Sequence, residues 1–207
     1  MISCDEIVAL KNSEDFIKIM DGKRHYYGGN QEWFSDMVYQ RVGCSCVAAA
    51  NITAYTAINK GKNTLYSYED MSRVNFTKHM KDIGKFLCPD ERIGMISTLN
   101  FMERVVDFAG SRFVKVKPHW ITTEFDFEKI KDFIKEALKN NIPLTLLMLK
   151  NKKLEEFSWH WMTITKLFEN EGKNYLSLST WGENRVIALE DFYKYSHYGT
   201  LTYFSVN

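Results

Sequence analysis

The feature that most constrains this 207-residue chain is a run of small residues at positions 43–57, GCSCVAAANITAYTA. Its alanines favour a helix and add little side-chain bulk, so we expect a central helix that other elements approach closely. The first turn of a helix has free backbone N–H groups and the positive end of the dipole, both of which favour an anion. A thiol held there loses its proton more readily than a free thiol, which makes Cys44 and Cys46 candidate nucleophiles. The alternative is that both cysteines simply fill the core.

Composition narrows the class of protein. Hydrophobic residues make up 45% of the chain and charged residues 26%, with a formal net charge of +1. These values are typical of a soluble globular protein and indicate neither a nucleic-acid partner nor an anionic membrane surface. The chain has no apolar run of about 18 residues, and residues 1–6 lack a basic, then apolar, signal pattern. We therefore expect a cytoplasmic protein without a membrane span, and its oligomeric state is left open.

The pattern of apolar residues changes halfway along the chain. Helical spacing is expected over 5–20, 44–59, 68–86 and 94–108. Alternating or continuous apolar strands follow, at 113–117, 143–149, 159–168, 174–180, 185–189 and 199–205, with one helix at 126–138 between them. Helices first and a strand meander second predict an α+β fold, with the helical N-terminal half packed on a C-terminal antiparallel sheet. No linker or repeat divides residues 1–207, so we predict a single domain.

The four cysteines do not suggest a disulfide framework or a zinc site. Cys44 and Cys46 are too close in sequence to bridge each other, and there are no paired C-x-x-C elements. Nothing in the sequence requires a metal or organic cofactor.

A nucleophilic cysteine needs a base, and His160 is the strongest candidate among the five histidines. It begins a predicted strand and stands between two tryptophans in SWHWMTI, residues 158–164. Aromatic rings beside an imidazole can exclude water and strengthen a thiolate–imidazolium pair. A cysteine at a helix start followed by a histidine on a later strand is an order that recurs in cysteine hydrolases.

Four segments in this order resemble papain-like cysteine peptidases, in the branch related to bacteriocin-leader (double-glycine) peptidases and their stand-alone bacterial homologues. They are YGGNQEWF (27–34), GCSCVAAAN (43–51), HWMTI (160–164) and STWG (179–182). The resemblance implies a papain-like fold, Cys44 as the nucleophile, His160 as the general base and Gln31 as the oxyanion donor. Counting by papain's own Gly-Ser-Cys pattern would instead select Cys46 as the nucleophile and Gln40 as the donor.

The residue that should orient His160 departs from the family pattern. Papain-like enzymes use Asp or Asn just before the turn that follows the next strand, where this chain has Ser179 or Thr180. A hydroxyl can accept the imidazole N–H, but it stabilises an imidazolium less than a carboxylate does.

These residues predict a cysteine peptidase that cleaves a peptide or protein substrate through an acyl-enzyme. Two alternatives stay open. One is a transglutaminase- or amidase-like acyl transfer with the same dyad. The other is a pseudo-peptidase that binds peptides without cutting them, suggested by the missing Asp or Asn.

Overall fold

The fold is organised around an antiparallel sheet in the second half of the chain. The structure, a computed structural model, describes residues 7–206. Its strands are β1 Ile7–Ala9, β2 Lys18–Asp21, β3 Arg24–Tyr27, β4 Val116–Thr122, β5 Leu144–Asn151, β6 His160–Asn170, β7 Lys173–Thr180, β8 Glu183–Ala188 and β9 Ser196–Val206. Seven of them form one sheet in the order β4-β9-β5-β6-β7-β8, with β1 paired to the part of β6 that extends beyond the first residue of β5. Strands β2 and β3 form a separate hairpin.

Most of the α-helices precede β4 in the chain, and therefore precede every strand of the large sheet except β1. They are α1 Met37–Val42, α2 Cys44–Lys60, α3 Arg73–Leu87, α4 Thr98–Ser111, α5 Phe127–Lys139 and α6 Leu189–Tyr195. The apolar residues buried between helices and sheet form one continuous cluster. The mixed architecture agrees with the predicted α+β class. In residues 7–206, no helix combines the length and the apolar character needed to cross a bilayer.

Helix α2 lies at the centre, as the small residues predicted. Thirteen of its seventeen residues are buried, so it has no broad face toward solvent. It packs against α3 on one side and β6 on another. Gly61, in the left-handed conformation, ends the helix.

Three local expectations were wrong or incomplete. The helix expected over 5–20 is instead β1, a series of turns and the start of β2; residues 5 and 6 lie outside the described part of the chain. Ile17 and Ile19 are buried while Lys18 and Met20 are exposed, which is the two-residue period of a strand. The strand expected at 113–117 begins only at Val116, and the short helix α6 was not expected.

Candidate active site

The start of α2 holds Cys44 at the foot of a cleft. Helix α1 ends at Val42 and α2 begins at Cys44, with Gly43 between them. A Cβ atom at position 43 would lie 2.3 Å from the carbonyl oxygen of Tyr39, so only glycine fits this close approach between the two helices. Packing therefore requires glycine at position 43, immediately before Cys44.

His160, the first residue of β6, lies beside Cys44. Both line one narrow cavity, and both are nearly buried, with exposed fractions of 7% for Cys44 and 8% for His160. The backbone N–H of Trp161, the next residue of β6, interacts with the Cys44 thiol. Within residues 7–206, no hydrogen bond joins the thiol to the imidazole. Catalytic hydrogen bonds are often formed only when substrate binds, so this resting geometry is compatible with a dyad.

Burial changes the expected ionisation of the Cys44 thiol. Desolvation raises its pKa, while the backbone N–H groups of Trp161, Ser45 and Cys44 itself act in the opposite direction. From the helix start alone, the sequence predicted a lowered pKa. In the folded chain, desolvation outweighs the N–H groups, so the resting cysteine is a neutral thiol.

The His160 ring is also held in its neutral form. Burial lowers its pKa to about 4. The shielding ring is not one of the two tryptophans beside it in sequence. Trp161 stacks on Phe101, and Trp159 is 57% exposed. Trp181 instead stacks on His160, with ring centroids 4.7 Å apart.

Thr180, at the end of β7, is the hydrogen-bond partner of His160. Its Oγ1 lies 2.7 Å from the imidazole Nε2. If Nε2–H donates to this hydroxyl, Nδ1 keeps its lone pair and can accept a proton. Ser179 lines the same cavity, but its hydroxyl donates to the carbonyl of Tyr27 at 2.7 Å. Of the two predicted candidates, the contact with the ring is made by Thr180.

Gln31 lies in a one-turn 3-10 helix and lines the cavity that holds Cys44 and His160. Its side-chain amide donates to the carbonyl of Gln40 at 2.7 Å and makes a longer contact of 3.5 Å with that of Arg41. One N–H of the amide is therefore only weakly engaged. The side chain of Gln40, the alternative donor, donates instead to the carbonyl of Phe34 at 2.7 Å, and Gln40 does not line the cavity.

Cys46, the alternative nucleophile, lies in the interior. It is fully buried, and its sulfur is near Gly84 of α3. Desolvation raises its pKa to about 12. It does not line the cavity that contains His160.

Asn51, two turns along α2 from Cys44, joins the elements around the candidate site through side-chain hydrogen bonds. The sequence had not predicted this role. Its side chain accepts the Gly29 N–H at 3.0 Å and donates to the hydroxyls of Thr163 and Ser179, both at 3.2 Å. It thus links the helix to β6, to β7 and to the loop that carries Gln31. Gly28 makes this possible, because it has a φ of +80° and a Cβ there would lie 2.2 Å from Ser179 Oγ.

A larger cleft opens on the other side of Cys44. Its volume is about 480 Å³, within the range of roughly 300–1,000 Å³ usual for ligand sites. Arg41 and Arg92 are its charged lining residues. The rest of the wall is mainly apolar and includes Val42, Ile93, Met95, Ile96, Leu147 and Trp159.

Comparison with known proteins gives a likeness in fold but none in sequence. No protein family matches the chain, and no curated protein does. Among solved structures, the chain is similar to the crystal structure of UfSP from C. elegans, with a TM-score of 0.51 and 11% identity. The match covers 98% of this chain and 34% of that one, so this chain spans about a third of the length of its neighbour. The likeness supports the α+β, papain-like fold that the sequence predicted.

Proposed function

We propose that this protein is a cysteine peptidase in which Cys44 is the nucleophile, His160 the general base and Thr180 the residue that orients the imidazole. The observation that supports this most is the shared cavity. The thiol at the start of α2 and the imidazole at the start of β6 line it together, next to an open cleft. The papain-like fold is consistent with the proposal, as is the order of the four segments resembling the bacteriocin-leader branch.

The buried, neutral pair requires that proton transfer accompany attack. As the Cys44 sulfur bonds to the carbonyl carbon of the substrate, its proton passes to Nδ1 of His160. The imidazolium then gives this proton to the leaving amine, and the C–N bond breaks to leave a thioester on Cys44. Water, deprotonated by His160, attacks the thioester, releases the carboxylic acid and restores the thiol.

The oxyanion formed in each step needs donors near the sulfur. The backbone N–H of Cys44 at the start of α2 and the weakly engaged N–H of Gln31 are the groups we assign to it. One donor of this kind typically contributes about 3–4 kcal/mol to transition-state stabilisation.

A digest of a peptide mixture, read by mass spectrometry, tests this proposal. We expect the wild-type chain to generate new termini and Cys44→Ala to generate none. Cys46→Ala is the matched control, because it removes a buried thiol from the same turn of the same helix and should retain cleavage. Cleavage that survives Cys44→Ala, or is lost in a folded Cys46→Ala variant, would contradict the assignment. Transfer of the acyl group to an added primary amine would favour the acyltransferase alternative.

A second candidate function is peptide binding without cleavage. It is favoured by the hydroxyl partner of His160 and by the absence of a thiol–imidazole hydrogen bond among the described residues. Peptides that bind to the folded wild-type chain but remain intact after prolonged incubation would support this function over the first.

A further inference from the structure

The cleft beside Cys44 has a lining that is apolar inside and positively charged at its edge. Ile93 and Trp159 are 60% and 57% exposed, although single exposed apolar side chains usually scatter over a surface. Here both line the same cleft, whose wall also includes the buried Leu147 of β5. This surface suits a bulky apolar side chain of a bound ligand.

Both charged residues in the lining are arginines, and neither is neutralised by an ion pair within residues 7–206. Arg41 donates to the backbone carbonyl of Glu91 at 2.7 Å, which fixes the loop before α4 to the end of α1. Arg92 lies on that loop, and its side chain is exposed. Two acids precede Arg92 in sequence. Glu91 forms no ion pair with Arg92 among residues 7–206, and Asp90 uses its carboxylate to accept the backbone N–H groups of Arg92 and Ile93.

The wall that carries Arg92 is held in place. Trp161 of β6 donates its ring N–H to the carbonyl of Met95 at 2.6 Å. A backbone bridge between Asp90 and Gly94 closes the turn around Arg92. Arg92 is therefore presented from a fixed turn, and little ordering of the backbone is needed when a ligand binds.

We propose that the cleft selects peptide segments in which a bulky apolar residue has an acidic side chain next to it. The apolar side chain packs against Ile93, Leu147 and Trp159, and the carboxylate lies between Arg41 and Arg92. Planar guanidinium groups bind carboxylates through paired N–H donors, which gives the contact direction as well as charge. This inference rests on the proposed function, because it takes the residues beside Cys44 to be the substrate-binding surface.

Binding to the full-length Cys44→Ala variant tests the inference without requiring cleavage. The probes are three pools of fluorescein-labelled peptides capped at both ends. Every peptide has a fixed phenylalanine, and the positions next to it are Glu in the first pool, Gln in the second and Lys in the third. Fluorescence anisotropy should show that the Glu pool binds about tenfold more tightly than the Lys pool, as for one or two charge pairs at a partly exposed rim. Raising the salt concentration from 50 mM to 500 mM should reduce this preference, because the Debye length falls.

Charge reversal identifies the responsible group. Adding Arg92→Glu should abolish or invert the preference for the Glu pool. Arg104→Glu is the matched control, since Arg104 is an exposed arginine on α4, paired with Asp107, that does not line the cleft. It should leave the preference unchanged.

The outcomes separate the two proposals. Equal binding of the Glu and Lys pools, a preference that persists in Arg92→Glu, or no binding of any pool would overturn the charge selection. Binding with the expected preference, together with no cleavage by the wild-type chain, would support the selection and reject the peptidase activity.

Discussion

The contact between Thr180 and His160 leads to the sharpest prediction, which concerns Thr180→Asp. The hydroxyl and Nε2 are 2.7 Å apart, so a carboxylate at this position would lie within a few ångströms of the ring. An opposite charge at about 4–6 Å or less raises the pKa of a histidine by roughly 1–3 units. Since burial lowers the pKa of His160 to about 4, the substituted chain should titrate this ring between about 5 and 7.

The sign of the effect on activity follows from the role of the base. The proposed mechanism needs neutral His160, so activity is lost as the pH falls through the pKa of this group. Thr180→Asp should therefore move the acid limb of kcat/KM to higher pH. Above that limb, kcat should rise by roughly tenfold, because a charge-assisted hydrogen bond stabilises the transient imidazolium better than a neutral one does.

Two further variants at the same position separate charge from hydrogen bonding. Thr180→Asn has nearly the shape of Thr180→Asp without its charge, so it should leave the acid limb near its original pH. Thr180→Val replaces the hydroxyl with a methyl group of similar size and should lower kcat/KM by roughly fivefold, the equivalent of about 1 kcal/mol for one neutral hydrogen bond.

Two measurements are needed. The first is kcat/KM against pH with any peptide that the wild-type chain cleaves. The second is the NMR titration of the His160 ring in a Cys44→Ala background, which reports the pKa whether or not the protein is active. If the ring titrates at the same pH in Thr180 and Thr180→Asp chains that are both folded, Thr180 is not the orienting group and the reasoning fails.

The remaining predictions concern stability. Burial lowers the pKa of His79 to about 3, and the neutral ring lies against the Thr53 hydroxyl. Below pH 6.5 the unfolded chain binds a proton at His79 and the folded chain does not. The free energy of unfolding should therefore fall by up to about 1.4 kcal/mol per pH unit as the pH drops from 6.5 toward 3. Urea unfolding at pH 7 and pH 5 should show this loss, and His79→Gln should reduce it; an equal loss in both chains would contradict the assignment. Asn51→Ala should lower the free energy of unfolding by about 2–4 kcal/mol, because the buried Gly29 N–H loses its acceptor; a loss below about 1 kcal/mol would show that the link matters little.

The central helix and the antiparallel sheet could be predicted because local composition determines them. The small-residue run of α2 and the apolar runs of most later strands are strong local signals, so a few residues of each were enough to assign the element. The N-terminal segment could not be assigned in the same way. Ile7 and Val8 form a strand because β6 extends past β5 and offers a free edge. A pairing between residues so far apart in sequence cannot be recognised from the few residues of β1 alone.

For the candidate site, the sequence indicated which residues lie together but not their electrostatics. The motif order pointed to Cys44, His160 and the end of β7, all of which the fold brings to one cavity. The ionisation of the thiol depends on how deeply it is buried, which no local pattern records. The ring over His160 belongs to Trp181. Trp161 follows His160 in β6 and therefore points to the opposite face of the sheet, while Trp159 precedes the strand and is exposed.

The crowding of α2 on nearly all sides also bears on how this chain could diverge. Alanines such as Ala49 and Ala54, fully buried in the middle of the helix, leave no room for larger residues, so selection for folding alone would preserve them. Cys44, His160 and Thr180 are not held by that requirement to the same degree. If the proposed activity were lost in a descendant, the small-residue helix would therefore be kept while Cys44 and His160 changed first, and retention of the helix in a relative would be evidence of fold and not of activity.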